Sequence, residues 1–204
     1  MTILVKEKPI IAPIIPSNIW RISVDRFLDL VDAGAFTEDE HVELLEGFIV
    51  EKMTANPPHA HIVDILVALL IRMLPIHYLV GNQRPFLADD SVPEPDLMVY
   101  TGRKGQFFDE HPNASNVAFL IEVSDSTLAD DQKRKKRIYA RAGVREYWIV
   151  NIPESQIEVY THPRNMTFKQ IHIYSGSDKV PVMLNNQQIG AINISDIFST
   201  HSPT

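Results

Sequence analysis

Three ionisable residues of the sequence stand beside hydrophobic runs, where a charged side chain is costly. Asp96 occurs in EPDLMVY, Glu122 in LIEVSD, and Lys135 in the charged segment DDQKRKKRIYARAG. Carboxylates that project from neighbouring buried strands repel each other unless a cation or a lysine lies between them. Hard cations such as Mg²⁺ favour oxygen ligands of this kind. The pattern therefore indicates either a metal site with an assisting lysine or a structural cluster of buried ion pairs.

Helical geometry distinguishes Lys135 from the other basic residues of its segment. At about 100° per residue, one apolar face within roughly 60° of Lys135 contains Leu128, Asp131, Ile138, Tyr139 and Ala142. The remaining basic residues point sideways or backwards and are interpreted as a solvated face, which comprises Lys133, Arg134, Lys136 and Arg137. An ammonium on a buried face needs carboxylate partners. Asp131 and Glu122 are the partners that we expect for Lys135.

This arrangement of two acids and one lysine suits metal-assisted hydrolysis of a phosphodiester. In this hypothesis Asp96 and Glu122 hold a cation that polarises a phosphate oxygen and generates hydroxide from water. Lys135 would position or deprotonate that water, or neutralise the transition state. The same three residues could instead form a purely structural ion-pair cluster. The residue pattern alone leaves both interpretations open.

The elements that must position these residues are of mixed type, so the predicted fold class is α/β (α+β mixed). A first helix begins after Ser23, and a hairpin turns at Glu46–Gly47. A second helix begins at Pro57 and Pro58, and a third spans about 128 to 142 before Gly143. Apolar strands are predicted near 76–80, 96–100 and 117–123, and further strands at EYWIV, QIEVY and FKQIHIY. The nearly continuous run VAFLIEV is typical of a strand that is covered on both faces.

Length and composition indicate one soluble globular domain. The chain has 204 residues, and a domain has roughly 150. We expect an arm at 1–19, interrupted by prolines, a single domain at 20–200, and a frayed tail at 201–204. Hydrophobic residues make up 45% and charged residues 22%, which excludes a disordered or coiled-coil chain. The absence of cysteine excludes disulfide scaffolds and thiolate zinc sites.

Charge and hydropathy limit the partners of the chain. The formal net charge of −7 argues against a general, salt-driven affinity of the whole surface for polyanions, although a local basic patch stays possible. The first twenty residues contain charges and prolines, so neither a signal peptide nor a membrane span is expected. We therefore predict a cytoplasmic protein without membrane contact.

Several sequence blocks together resemble one bacterial family. The blocks ELLEG, PPHAH, EPDLMV, LIEVSDST and KRIYARAGVREYWIVN are similar, in this order, to the Uma family of restriction endonucleases. The resemblance runs from about residue 20 to residue 200 and is most specific around 118–151. It implies a PD-(D/E)XK nuclease-like, restriction endonuclease-like core, in which helices flank a central mixed β-sheet. It also implies Mg²⁺-dependent, or Mn²⁺-dependent, cleavage of DNA.

The resemblance assigns roles to individual residues. Pro95–Asp96 matches the PD motif, Glu122 the acid of the second motif, and Lys135 a lysine that has moved to the following helix. The wider nuclease pattern places that lysine two positions after Glu122, where this chain has Ser124. Migration preserves the site, whereas loss of the lysine is also how an inactive descendant would look.

Three further residues are candidates for the same site. Glu43 matches an acidic signature position, where it adds a ligand or binds a metal-bound water, or simply forms an ion pair. His59 also matches the family and lies on the core face of its helix, as a catalytic or phosphate-contacting residue or as a satisfied core histidine. Gln83 precedes the strand of Asp96 and is a candidate for substrate contact. Tyr139, Tyr147 and Trp148 are interpreted as core residues.

Two functions from different classes are carried forward. The first is an endonuclease in which Asp96 and Glu122 hold Mg²⁺ and Lys135 assists water activation. The alternative is a catalytically inactive nuclease-fold module that binds nucleic acid or a protein partner. A purely structural interaction protein is less favoured, because it leaves the buried acids and lysine unexplained. Since cleavage of two strands conventionally uses paired sites, we also predict a homodimer.

Overall fold

The structure, a computed structural model, describes residues 19–103 and 105–198. The predicted tail and all but the last residue of the predicted arm lie outside this range. The helical elements are α1 (Val24–Asp32), α2 (Pro57–Met73), a 3-10 turn (Gln106–Phe108), α3 (Leu128–Asp130), a π-helical segment (Asp131–Lys135), α4 (Lys136–Ala142) and α5 (Ile194–Phe198). The strands are β1 (Val42–Leu45), β2 (Phe48–Glu51), β3 (Tyr78–Asn82), β4 (Leu97–Thr101), β5 (Val117–Ser124), β6 (Glu146–Asn151), β7 (Gln156–Pro163), β8 (Phe168–Ser175), β9 (Lys179–Leu184) and β10 (Gln187–Asn193).

A central six-stranded sheet has the order β3-β4-β5-β6-β7-β8. All neighbours in it are antiparallel except β5 and β6, which are parallel and are connected through the helical residues 128–142. The predicted mixed sheet flanked by helices is therefore confirmed. The nearly continuous run predicted to be covered on both faces is β5, which lies in the middle of the sheet and is buried along almost its whole length.

Side chains that alternate along β5 supply the two halves of the core. Phe119, Ile121 and Val123 face α2, the β9–β10 hairpin and α5. Leu120 faces the opposite layer, which contains α4. Successive side chains of a strand point to opposite faces, so Glu122 lies on the same side as Leu120, towards the helix that carries Lys135. No helix of the described ranges is both long and apolar enough to cross a membrane.

Local sequence signals account for several boundaries. The Ser23 hydroxyl accepts a hydrogen bond from the backbone N–H of Arg26 and caps α1, as predicted. At the β1–β2 turn, Glu46 and Gly47 both have positive φ (54° and 80°), which is the backbone of a tight type I′ hairpin. Gly143 ends α4 in the left-handed conformation with φ 83°.

The third helix differs from the continuous α-helix that was predicted at 128–142. Residues 131–135 form a π-helical segment between α3 and α4. The backbone carbonyl of Asp131 accepts the N–H of Lys136, five residues on, and also a hydrogen bond from the hydroxyl of Tyr147. The wider turn leaves both Asp131 and Lys135 buried.

The prediction that the other basic residues form a solvated face is incomplete, because three of the four are part-buried and have partners in the protein. Only Lys133 is exposed. Arg137 donates two hydrogen bonds to the carboxylate of Glu46, at 2.9 and 2.6 Å, and Arg134 donates to the backbone carbonyl of Leu45. The ammonium of Lys136 lies 4.8 Å from the centre of the Tyr160 ring. Arginines and lysines cover apolar surface with their stems while their charges find partners, which a helical wheel does not reveal.

Candidate active site

The predicted acids and Lys135 line one cavity of about 520 Å³. The cavity opens where β4 begins and β5 ends, and its walls come from the loop after β2, the start of α2, the loop after β5 and the π-helical segment. Its charged lining includes Glu43, Asp96, Glu122, Asp131 and Lys135. Residues from five separate stretches of the chain therefore meet at one end of the central sheet.

Lys135 lies between two carboxylates. Its ammonium is 3.1 Å from Oε1 of Glu122 and 3.2 Å from Oε1 of Glu43. Burial opposes the positive charge, but attraction by Glu122 and Glu43 outweighs it and raises the pKa of Lys135. Lys135 consequently keeps its proton and neutralises part of the surrounding negative charge.

The expectation that Asp131 forms an ion pair with Lys135 is wrong, because the ion pairs of Lys135 are with Glu43 and Glu122. The carboxylate of Asp131 instead accepts hydrogen bonds from the hydroxyls of Ser124 and Thr127, at 2.8 and 2.7 Å. Glu43 takes the place of Asp131 beside the lysine, and its second oxygen accepts the backbone N–H of Glu94 at 2.9 Å. Ser124, at the position of the usual nuclease lysine, therefore serves to hold Asp131.

Glu122 has an environment that favours its protonated form. Burial, together with the nearby carboxylates, raises its pKa to about 8, and Lys135 offsets this only in part. Its Oε1 accepts hydrogen bonds from the ammonium of Lys135 and from the hydroxyl of Tyr139, the latter at 2.7 Å. A cation that binds Glu122 near neutral pH must therefore displace a proton.

Asp96 has the opposite tendency. Burial disfavours its charge, but the hydrogen bond and the electrostatic attraction of His59 outweigh burial and lower the pKa of Asp96. Its Oδ2 lies 3.0 Å from Nε2 of His59 and accepts the backbone N–H of Val123 at 2.9 Å. Nδ1 of His59 is buried and has no hydrogen-bond partner within the described ranges. His59 thus orients the carboxylate of Asp96 from the first turn of α2.

The donor set of this pocket fits a hard divalent cation. Hydrogen bonds from the described residues reach only Oδ2 of Asp96 and only Oε1 of Glu122, so each carboxylate has a second oxygen without such a bond. Within residues 19–103 and 105–198, no cluster of three or more His, Asp or Glu residues is arranged to hold a metal ion. Mg²⁺ typically takes one or two carboxylates, with water and substrate phosphate as its other ligands. A site with two carboxylates is consistent with that preference.

The remaining candidates separate clearly. Glu43 and His59 line the pocket, whereas Gln83 does not. Gln83 is exposed, has φ 47°, and donates its backbone N–H to the carbonyl of Asp96. Tyr139 was interpreted only as a core residue, and it is fully buried, yet its hydroxyl also binds Glu122. Its spacing of four residues from Lys135, on the same helical face, is the signal that could have identified it.

Comparisons with known proteins agree with this architecture. The family model described as "Uma2: Putative restriction endonuclease" matches residues 24–189. A crystal structure of "a putative nuclease belonging to DUF820" from Anabaena variabilis superposes with a TM-score of 0.68 at 18% sequence identity. The match covers 87% of this chain and 98% of that one, and at this identity it shows a shared fold. No curated protein matches the chain.

Proposed function

This chain belongs to the Uma2 family, and from that premise we propose that it is an endonuclease that hydrolyses DNA phosphodiester bonds with Mg²⁺ or Mn²⁺. The observation that supports this most is the environment of Lys135. Its ammonium contacts Glu122 and Glu43 in the pocket that Asp96 also lines. A purely structural ion pair would not need to place Glu122, whose Oε2 accepts no hydrogen bond from the described residues, beside a cavity.

Asp96 and Glu122 are the residues that would hold the cation. When bound there, a divalent cation supplies Lewis-acid polarisation of a phosphate oxygen and a more acidic water. The hydrogen bonds from His59 and Val123 fix the carboxylate of Asp96 and keep it ionised. The bonds from Lys135 and Tyr139 fix the carboxylate of Glu122 in the same way. Both acids are thus oriented before substrate arrives, which lowers the reorganisation that catalysis requires.

Lys135 would act as a charged donor. Because its pKa is raised, the ammonium does not accept a proton from water near neutral pH. It can instead donate a hydrogen bond to the attacking water or to the phosphate oxygen on which negative charge develops. Among the roles considered from the sequence, positioning and charge neutralisation are therefore favoured over deprotonation.

Conversion of supercoiled plasmid to open-circular and linear forms tests this function. We expect conversion by the wild-type protein with Mn²⁺ or Mg²⁺, none with EDTA, and a loss of at least about 10²-fold in Asp96→Asn. Asp64→Asn is the matched control, because Asp64 is an exposed acid of α2 that does not line the pocket. Intact plasmid and intact single-stranded DNA under all conditions, with DNA binding retained, would favour the inactive module instead.

The assembly and location of the protein are part of the same proposal. A homodimer would place two such pockets on the two strands of one DNA molecule. Sedimentation at micromolar concentration, with and without DNA, tests this, and a monomer under both conditions would contradict it. The cytoplasmic location stays a prediction that fractionation of cells can test.

A further inference from the structure

The groups that would act on the phosphate lie at the bottom of their pocket. The exposed fractions are 4% for Glu43, 5% for Asp96, 3% for Glu122 and 6% for Lys135. A phosphodiester that reaches these groups must therefore leave the protein surface and enter the cavity. The cavity volume of about 520 Å³ lies within the range of roughly 300–1,000 Å³ that is typical of small-ligand sites.

Two side-chain contacts join the walls of this pocket. Nδ2 of Asn56, before α2, donates to Oδ2 of Asp125, after β5, at 2.7 Å. The hydroxyl of Ser126, also after β5, lies 3.9 Å from the sulfur of Met53, after β2. All four residues line the cavity. The loop after β2 and the loop after β5 are thus joined by side-chain contacts at the surface, beside the cavity.

An intact duplex is poorly matched to such a pocket. Its phosphates lie on the outside of a stiff rod whose persistence length is about 150 base pairs. Such a rod presents a phosphate readily to a surface or to a wide cleft, but its stiffness makes it harder to bring its backbone into a pocket of ligand size. An unpaired strand bends freely and can bring its backbone to buried groups, as in enzymes that act on extruded nucleotides.

We propose that the substrate of this pocket is an unpaired nucleic-acid strand, such as a single strand, a flap or a bulge, rather than intact duplex DNA. This inference rests on the proposed function and narrows its substrate class. Met53, with 62% of its surface exposed, offers an apolar contact for an unstacked base. The exposed Lys133 lines the same pocket and offers a positive charge to a neighbouring phosphate.

Binding and cleavage of matched oligonucleotides test this inference. The probes are a fluorescent 20-mer single strand, its perfect duplex, and a duplex with a three-nucleotide bulge. With Mn²⁺, we expect kcat/KM at least tenfold higher for the single strand and the bulge than for the duplex. Binding is measured by fluorescence anisotropy in EDTA with the cleavage-impaired Glu122→Gln variant. We expect this variant to bind the single strand at least tenfold more tightly than the perfect duplex. Equal or tighter binding of the duplex, or no binding of any probe, overturns the inference.

These outcomes separate the inference from the proposed function. Tenfold tighter binding of the single strand, with cleavage of no probe, supports the substrate class and contradicts the nuclease activity. Cleavage of the duplex as fast as the single strand supports the nuclease activity and overturns the substrate class.

Exchange of the side chains at positions 56 and 125 tests the role of the hydrogen bond that joins the two loops. Asn56→Asp keeps a side-chain oxygen to cap α2 at the backbone N–H of His59, but it replaces the bond to Asp125 by repulsion between two carboxylates. We expect the single-strand preference to fall at least threefold. The double variant Asn56→Asp/Asp125→Asn restores a donor and an acceptor and should restore the preference. An unchanged preference in a folded Asn56→Asp protein overturns the inference as argued.

Discussion

Two buried glutamates occupy equivalent places in the central sheet but have different surroundings. Glu122 of β5 pairs across the sheet with Ile149 of β6, and Ile149 pairs with Glu158 of β7. The two glutamates therefore share one row and one face, and each is 3% exposed. Glu158 accepts hydrogen bonds on both oxygens from neutral donors, which are Gln132, Asn151 and Tyr160.

The difference comes from the helix above the row. The π-helical segment directs the amide of Gln132 to Glu158 and the ammonium of Lys135 to Glu122. Glu158 is satisfied by neutral groups and lines no part of the site pocket, whereas Glu122 faces a cation and the cavity. Burial and strand position alone thus do not distinguish the two glutamates. The charge of the hydrogen-bond partner and access to a pocket do.

The largest expected effect is a difference in activity between variants of the two glutamates. Glu122→Gln should reduce oligonucleotide cleavage by about 10³-fold or more, because it removes a ligand oxygen and the partner of Lys135. Glu158→Gln, the same substitution two strands along the same row, should stay within about threefold of wild type. Single-turnover rates with Mn²⁺ measure both. Comparable losses in the two variants would show that burial, not the site, explains the sensitivity of Glu122.

The next effect concerns stability. Lys135→Met leaves Glu122 and Glu43 buried without their cation, so we expect the free energy of unfolding to fall by about 3–4 kcal/mol in urea titrations. Adding Glu122→Gln to this variant should recover part of the loss, because the amide cannot ionise beside Glu43 once the lysine is gone. Lys133→Met, in the exposed position of the same segment, should change the free energy by less than about 0.5 kcal/mol.

A smaller effect sharpens the description of Glu158. Glu158→Gln places an amide NH₂ where several donors converge, so we expect a loss of about 2 kcal/mol in the free energy of unfolding. Chemical denaturation of the variant and the wild type measures the difference. A variant as stable as the wild type would mean that the three donors have other acceptors available.

The last prediction is a difference in pH dependence, which is measured as a slope rather than as a single loss of stability. The pKa of Glu122 is raised to about 8 in the folded chain, so the folded state holds this proton more tightly than the unfolded state. The contribution of Glu122 to the free energy of unfolding is therefore complete below the ordinary glutamate pKa of 4.5, and it is lost as the pH rises through about 8. Over this range the free energy of unfolding should decrease by up to about 1.4 kcal/mol per pH unit relative to Glu122→Gln.

Glu146 supplies the control for that measurement. Burial raises the pKa of Glu146 to about 7, against the hydrogen bond that Trp148 donates to it. Glu146→Gln should remove a separate part of the decrease of the free energy of unfolding with pH. This part is complete nearer pH 7. Stability curves from pH 5 to 9 for the two variants distinguish these contributions, and identical curves would contradict the assignment to Glu122.

Much of the fold could be predicted because its signals are local. The cap at Ser23, the hairpin turn at Gly47 and the apolar run of β5 each depend on a few neighbouring residues. The inward position of Lys135 also follows from helical spacing, although the π-helical segment does not. The Tyr147 hydroxyl that accompanies this segment comes from another strand, and no spacing within the helix encodes it.

The site could be predicted in its members but only partly in its pairings, since Glu122 was expected beside Lys135 and lies there. Asp96, Glu122, Lys135, Glu43 and His59 were all selected from the sequence, and the structure brings them to one pocket. That Glu43 rather than Asp131 contacts the lysine depends on how the β1–β2 hairpin docks, through contacts between segments far apart in the chain. Gln83 was misplaced because proximity in sequence to the strand of Asp96 does not fix the direction of a side chain.

The number of residues in the π-helical segment determines whether Asp131 and Lys135 both face the cavity. Such a segment is equivalent to one extra residue in an α-helix, so removing one residue there would return the helix to uniform winding. The residues on one side of the deletion would then rotate by about 100° relative to those on the other. Either Asp131 or Lys135 would turn away from the cavity, even though every side chain that faces it is still encoded. We therefore expect deletion of one residue within 131–135 to be as damaging as the loss of a charged group.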